Sequence, residues 1–322
     1  MSLVSGMTVA VIALVVAGSF AWIRMRNDNI QRVHLADGTL VDAAPTEPVD
    51  IVLVGSDGPS VNDTVPPSAE RADAVLLVRF DPAARTLHVL SFPRDLLDQR
   101  TGGRLTDTLT GHDATAIVES VHQLLPVPIH HYIKLDFAGF VALVDELGGV
   151  RLDISAPIVD RFTGLSLPAG CSQIDGTTAL GFVRSRHLVV DGVDDQTGDL
   201  GRTIREQAFI TAALVQLSRA STDPLALDRY ARILGDHAEL DDTLDLTHLV
   251  ALARELRNVD PSAIESLTFP STPAIKDGAA VLASSAADAD IARQFIFDGN
   301  QGATPDLPAG VSAAPPLTIT GC

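Results

Sequence analysis

The sequence predicts an α/β layered domain behind an N-terminal membrane span, and three observations carry that reading. Short β-branched runs alternate with segments of helical period along most of the 322 residues. Hydrophobic residues make up 46% of the chain, which supports a sizeable core and excludes a disordered composition. The stretch from Met7 to Ile23 (MTVAVIALVVAGSFAWI) carries no charge, and the uncharged run extends back to Ser2. That approaches the roughly 20 residues needed to cross a bilayer.

Taken in order, residues 1–26 read as a transmembrane anchor, with Trp22 at its end as an interfacial aromatic. Ala17-Gly18-Ser19 leaves a cleavable signal peptide as the alternative. Arg24 and Arg26 follow the span and no Lys or Arg precedes it, so charge bias alone would hold the following domain in the cytoplasm. Residues 27–49 are polar, end in Ala43-Ala44-Pro45-Thr46-Glu47-Pro48, and read as a stalk. Strands are predicted over 50–55 (DIVLVG), 74–80 (AVLLVRF) and 86–92 (TLHVLSF), each apolar, short and bounded by Gly, Pro or Asp. A loop rich in Pro, Ser and Asp separates the first two. A helix is predicted over 114–125, a strand over 131–135 and a helix over 137–147, where Phe137, Phe140, Val141 and Val144 recur at helical spacing. Gly148-Gly149 ends that helix, and 150–154 returns as a strand.

Asp175 is placed to N-cap a short helix over 177–183. A long helix follows over 201–219, with Ile204, Ala208, Ile210, Ala212 and Leu214 on its apolar face. Helices over 225–235, 246–258 and 288–297 and strands over 266–269 and 280–283 close a domain spanning 50–298. Residues 299–322, rich in Pro, Gly and Ala, read as a mobile tail.

The formal charge is -18 and the pI about 4.7, which argues against binding nucleic acid. An anionic ligand therefore needs a local basic patch. Of the 23 basic residues only Lys134 and Lys276 are lysines. A GC-rich coding bias accounts for this, yet arginine's planar fork also suits pyrophosphate. Cys171 and Cys322 belong to no CxxC or Cys/His array, which argues against structural zinc. They read either as one disulfide in an exported protein or as two unrelated thiols.

Three clusters could carry chemistry. Asp57 ends one strand and Arg71-Ala72-Asp73 starts the next. The two aspartates are either turn residues or paired carboxylates for a hard cation such as Mg²⁺. Arg94 and Asp95 follow Ser91-Phe92-Pro93, where they form either a strand-end salt bridge or part of a ligand crevice. The third cluster joins Arg184 and Arg186 to Asp199, Arg202 and Arg205. Arg202 and Arg205 share a face of a helix's first turn, where cations oppose the macrodipole and fit better with an anion between them. Asp199 reads as an N-cap or as a base.

Together these segments resemble the LytR-CpsA-Psr family of cell-wall glycopolymer ligases. The matching pieces are DIVLVGSD (50–57), RADAVLL (71–77), LSFPRD (90–95), IHHYIKLDFAGFVALVDELGGVRLDI (129–154), AGCSQIDGTTALGFVRSR (169–186) and DLGRTIREQ (199–207), in the family's order behind one span. They cover roughly residues 50–220. The resemblance implies a central mixed β-sheet flanked by helices, with a long apolar pocket for a polyprenyl chain. It implies Mg²⁺ or Mn²⁺ on Asp57 and Asp73. It implies pyrophosphate held by Arg71, Arg94, Arg184, Arg186, Arg202 and Arg205, and catalysis by Arg94, Asp95 and Asp199. The activity implied is transfer of a glycopolymer from a polyprenyl-pyrophosphate donor to a peptidoglycan acceptor, on the outer face of the cell membrane. Two rival readings are a lipid-binding scaffold without ligase activity and a hydrolase of the same pyrophosphate. The sequence departs from the family at 102–114, where GGRLTDTLTGHDA is short and lacks asparagine.

Overall fold

The computed structural model describes residues 24–44, 47–57, 71–109, 113–195, 197–220, 224–299 and 318–322. The expected span at 7–23 lies outside them. No helix among the described residues is long and apolar enough to cross a membrane.

In chain order the strands are β1 (Gln31–Val33), β2 (Val49–Ser56), β3 (Ala72–Asp81), β4 (Thr86–Phe92), β5 (His131–Asp136), β6 (Val150–Ile154), β7 (Ile158–Asp160), β8 (Leu165–Leu167), β9 (Gly170–Ile174), β10 (Val189–Val190), β11 (Val193–Asp194), β12 (Ala238–Asp241), β13 (Ile264–Thr268), β14 (Thr272–Lys276), β15 (Ala279–Ala283) and β16 (Ile319–Gly321). The helices are α1 (Ala114–Leu124), α2 (Phe137–Glu146), α3 (Gly176–Arg184), α4 (Gly198–Ser218), α5 (Pro224–His237), α6 (Leu246–Leu256) and α7 (Ala286–Asp298).

A seven-stranded mixed sheet forms the centre, in the order β1-β12-β5-β2-β3-β4-β13. Its middle is built from the β-branched runs. Along β2 alternate residues are buried, and Val52 and Val54 belong to the same hydrophobic core as Ile117, Val118 and Val121 of α1 and Phe295 and Ile296 of α7. Each such side chain contributes about 1.5–3 kcal/mol by leaving water. Helices α2, α4 and α5 pack against other strands of the sheet. A second core joins Val150, Leu152 and Ile154 of β6 to Phe182 of α3 and Phe209 of α4. The α/β class and the central mixed sheet flanked by helices are thus as expected.

Two ends of the chain differ from expectation. The polar stretch read as a stalk contributes β1, which pairs in parallel with β12, while Ile30 and Leu35 are buried and Arg26 meets Asp228 at 2.7 Å. Within the stretch read as a mobile tail, β16 pairs antiparallel with β6, and Cys322 forms a disulfide with Cys171 at a Cα–Cα distance of 6.1 Å. Both are short edge strands whose partners are distant in sequence. Helix starts follow their caps. Asp175 accepts the Thr178 N–H and starts α3 as expected. The long helix instead begins at Gly198 with Thr197 in the N-cap position, which places Asp199 inside its first turn.

Candidate functional site

Strand β3 runs antiparallel to both β2 and β4, so the end of β2, the start of β3 and the end of β4 meet at one edge of the sheet. Pairing there is irregular. Gly55 opposes Ala74 and Ser56 opposes Ala72, which leaves Asp73 as an extra residue in a β-bulge. A bulge re-aims a side chain that a regular ladder would hold in alternation. The Asp73 carboxylate meets the Arg94 guanidinium at 2.7 Å, just beyond the end of β4. Asp57, just past β2, accepts the Arg71 N–H at 2.8 Å and donates its own N–H to the Arg71 carbonyl. The Arg94 Nε is buried and has no hydrogen-bond partner among the described residues.

The opposite wall comes from the end of α3 and the residues after it. The Arg184 guanidinium lies 4.7 Å from the centroid of the Phe137 ring. Arg186 and His187 are held through their backbone by Asp160, a fully buried residue that closes β7. Asp160 Oδ2 accepts from Ser185 Oγ at 2.6 Å, Arg186 N at 3.1 Å and His187 N at 3.0 Å. Its Oδ1 accepts from Phe162 N at 2.8 Å and Thr163 N at 3.4 Å. Burial alone would raise this carboxyl's pKa, but the hydrogen bonds from Ser185, His187, Phe162 and Thr163 outweigh it and hold the pKa below the usual carboxylate range.

The third wall is the start of α4. Gly201 is required there, because a Cβ on it would collide with Thr197 Oγ1 and lie 3.1 Å from Arg205 Nη1. Thr197 is tied to Asp195 through both its N–H and its hydroxyl, at 2.9 and 2.6 Å. Arg202 is almost buried and faces the cavity, with Glu206 at 3.8 Å. Arg205 lies behind it, donating to the Ser185 carbonyl and meeting Asp195 at 3.5 Å. Burial lowers the Arg205 pKa to about 10 despite the nearby Asp195, so it stays charged at neutral pH.

These walls enclose a cavity of about 300 Å³. Seven of the residues expected at the site line it: Asp57, Arg71, Asp73, Arg94, Arg184, Arg186 and Arg202. Two others do not: Asp95 turns towards Arg104, 3.4 Å away, and Arg205 braces the wall from behind. Asp199 is in the first turn of α4, and its side chain lies outside the described residues. Sequence reasoning missed Asp160, Phe162, Thr163 and His187, which also line the cavity. Five arginines converging in a chain of net charge -18 make a local anion site, suited to the bidentate geometry of phosphate oxygens.

Residues 19–294 match the model of the LytR_cpsA_psr family. Among curated relatives, the polyisoprenyl-teichoic acid–peptidoglycan teichoic acid transferase TagV of Bacillus subtilis (strain 168) is 28% identical over 62% of this chain and 51% of its own length. The cell wall biosynthesis protein LcpA of Corynebacterium glutamicum is 27% identical over 48% of this chain and 29% of its own length. The chain thus spans about half the length, or less, of these relatives. Among solved structures, a LytR-Csp2A-Psr enzyme from Actinomyces oris superposes with a TM-score of 0.66 at 25% identity, over 84% of this chain and 97% of that one. TagT bound to LIIa-WTA shares the fold, with a TM-score of 0.63 at 20% identity over 82% of this chain and 98% of that one.

Proposed function

From the premise that the chain belongs to the LytR-CpsA-Psr family, we propose that it transfers a glycopolymer from a polyprenyl-pyrophosphate carrier to peptidoglycan. The transfer would take place at the outer face of the cell membrane, to which the uncharged run at 7–23 would anchor the domain. The observation that carries the reading is the meeting of five arginines with Asp57 and Asp73 on one cavity. The transferase activity of the relative TagV, as named, supports it.

Phosphoryl transfer depends on positioning and charge neutralisation more than on covalent help from the protein. A peptidoglycan hydroxyl would attack the phosphorus next to the glycan. A new P–O bond forms, the anhydride P–O bond breaks, and polyprenyl phosphate leaves. Asp199, by family position, would take the hydroxyl proton. Arg94, Arg184, Arg186, Arg202 and Arg71 would neutralise the non-bridging oxygens. Asp95 and Arg205 would act indirectly, by holding the segments that carry Arg94 and Arg186. Asp57 and Asp73 suit Mg²⁺ or Mn²⁺, because such an ion is typically bound by one or two carboxylates plus substrate phosphates. Among the described residues no group of three or more His, Cys, Asp or Glu offers a cage of its own. When bound, the cation would add charge neutralisation at the pyrophosphate.

The test incubates full-length protein with a glycosylated polyprenyl pyrophosphate and peptidoglycan, and follows glycan transferred, lipid retained and glycan phosphate released. Transfer is expected, with Asp73→Ala and Arg94→Ala each reducing it by about 100-fold or more at unchanged melting temperature. Arg94→Lys should rescue poorly, since lysine lacks the fork. Retention alone would establish the scaffold reading, and release to water the hydrolase. Near wild-type transfer by both alanine variants would reduce these residues to strand-end polar groups.

A further inference from the structure

We propose that Glu206 sets how tightly the arginine cavity holds phosphate, as a buried counter-ion to Arg202 that lets the spent lipid phosphate leave. The proposal deepens the transferase reading and rests on it for the identity of that product.

Arg202 and Glu206 stand one turn apart on the buried face of α4, and Phe209 continues that face into the second core. Both side chains are nearly sealed from water, at 7% and 10% exposure. Carboxylates are rarely buried so far unless paired, and the cation that Glu206 meets is one that lines the cavity. Arg202 Nη1 and Glu206 Oε2 are 3.8 Å apart, which is an ion pair without the direct hydrogen bond that joins Arg94 to Asp73 at 2.7 Å. The other carboxylates of these walls are spent differently. Asp160 holds backbone N–H groups and the Ser185 hydroxyl, and Asp195 holds Thr197 and Arg205. After burial, the Arg202 charge also lowers the Arg205 pKa, so the two guanidinium groups repel each other. With the cavity empty, Glu206 offsets part of that buried positive charge.

Phosphate entering the cavity takes over the same task, within reach of a carboxylate that repels it. An interaction that favours the empty cavity subtracts from the free energy of filling it. The reaction also concentrates charge. The donor's pyrophosphate diester shares its charge between two phosphorus atoms, whereas the product monoester gathers about 1.5–2 charges on one. Five arginines unopposed would retain that product, and product release limits turnover in many enzymes. A fixed carboxylate behind Arg202 shortens its stay.

The test is equilibrium binding of polyprenyl phosphate and of inorganic pyrophosphate to full-length protein, comparing wild type with Glu206→Gln, which keeps the shape and loses the charge. The variant should bind both probes about tenfold tighter, the order expected for a unit charge within about 10 Å of the anion in a protein-like dielectric. In transfer assays its KM and kcat should fall together, and added polyprenyl phosphate should inhibit it at about tenfold lower concentration. Glu206→Met, apolar and of similar length, should tighten binding likewise, so a folding defect in one variant leaves the other to decide. A residue that merely braced the helix predicts the reverse, because its loss would weaken binding. Affinity unchanged or weakened in either variant, or tighter binding with an unchanged kcat, would overturn the proposal. The binding arm needs no turnover. A protein that transfers nothing, yet binds pyrophosphate more tightly as Glu206→Gln, would refute the ligase reading and leave Glu206 as the group that tunes phosphate affinity.

Discussion

Asp160→Asn isolates the residue on which the cavity wall depends. The substitution keeps the shape and leaves Oδ1 able to accept from Phe162 and Thr163. It turns Oδ2 into an NH₂ group facing the Arg186 and His187 N–H groups, both of which donate to that position. The Ser185 hydroxyl can rotate and accept instead; two backbone donors cannot. Leaving a buried donor unsatisfied costs about 1–3 kcal/mol, so a total near 3 kcal/mol is expected. In a domain of this size that lowers the melting temperature by about 6–12 °C without unfolding it. The native pKa of Asp160 is depressed, so its stabilisation is present above the unfolded-state value and is lost as pH falls through the native one. The gap between wild type and variant should therefore be flat from about pH 5 to about pH 8 and narrow only in more acid solution. Thermal unfolding followed by circular dichroism across that range measures it, with transfer assayed alongside. A shift below about 1 °C at neutral pH, with full transfer, would refute the argument that this carboxylate holds Arg186 in place.

Three further outcomes follow from the geometry. Reduction of the Cys171–Cys322 bridge, or Cys171→Ser, should cost about 2–4 kcal/mol, read as a melting temperature that falls on adding dithiothreitol to wild type but not to the variant. Gly201→Ala should displace the first turn of α4, reducing transfer more than tenfold for a stability loss of about 1–3 kcal/mol in urea unfolding. Burial, opposed by Arg79, pushes the Asp50 pKa up to about 6, so its contribution is present at low pH and lost as pH rises through 6. Asp50→Asn should accordingly remove about 2 kcal/mol of the stability difference between about pH 4.5 and about pH 7.5. His130, whose pKa burial lowers, titrates in the opposite sense and remains in both proteins.

Much of the central sheet was legible because its middle strands are local statements. Thr86–Phe92 was recovered at its bounds from a β-branched run closed by Pro, and outside that sheet Val150–Ile154 was recovered in the same way after Gly148-Gly149. β1 and β12 were missed because Gln31–Val33 and Ala238–Asp241 are partly polar, and they become strands only through distant partners, β1 through β12 and β12 through β1 and β5. The arginines of the site were visible as a set, since their density in an acidic chain is itself a signal. Asp160 was not, because an aspartate after two apolar residues resembles any turn, and its partner Ser185 lies 25 positions away. The bulge at Asp73 was equally hidden, as it depends on a register that only the paired strand defines. The helix starting at Asp175 was read correctly from its cap, whereas α4 starts earlier than Asp199 suggested, at a Thr197 whose side chain is tied to Asp195.

The joining of β1 to the sheet bears on how far this domain can travel. A flexible tether over 27–49 would let it wander by about 27 Å, on random-coil statistics for a stretch of that length. Instead Arg26 is already fastened to Asp228, and Arg32 donates to the Asp241 and Leu244 carbonyls. With the proposed anchor ending at Ile23, the leash is only a few bonds long. The protein would then hold a set height and tilt over the bilayer, and find its carrier by lateral diffusion within the membrane plane. The acceptor strand would have to come down to it. Inserting a glycine- and serine-rich segment after Ile23 would lengthen the leash without touching the cavity, and so separate the benefit of that confinement from the chemistry.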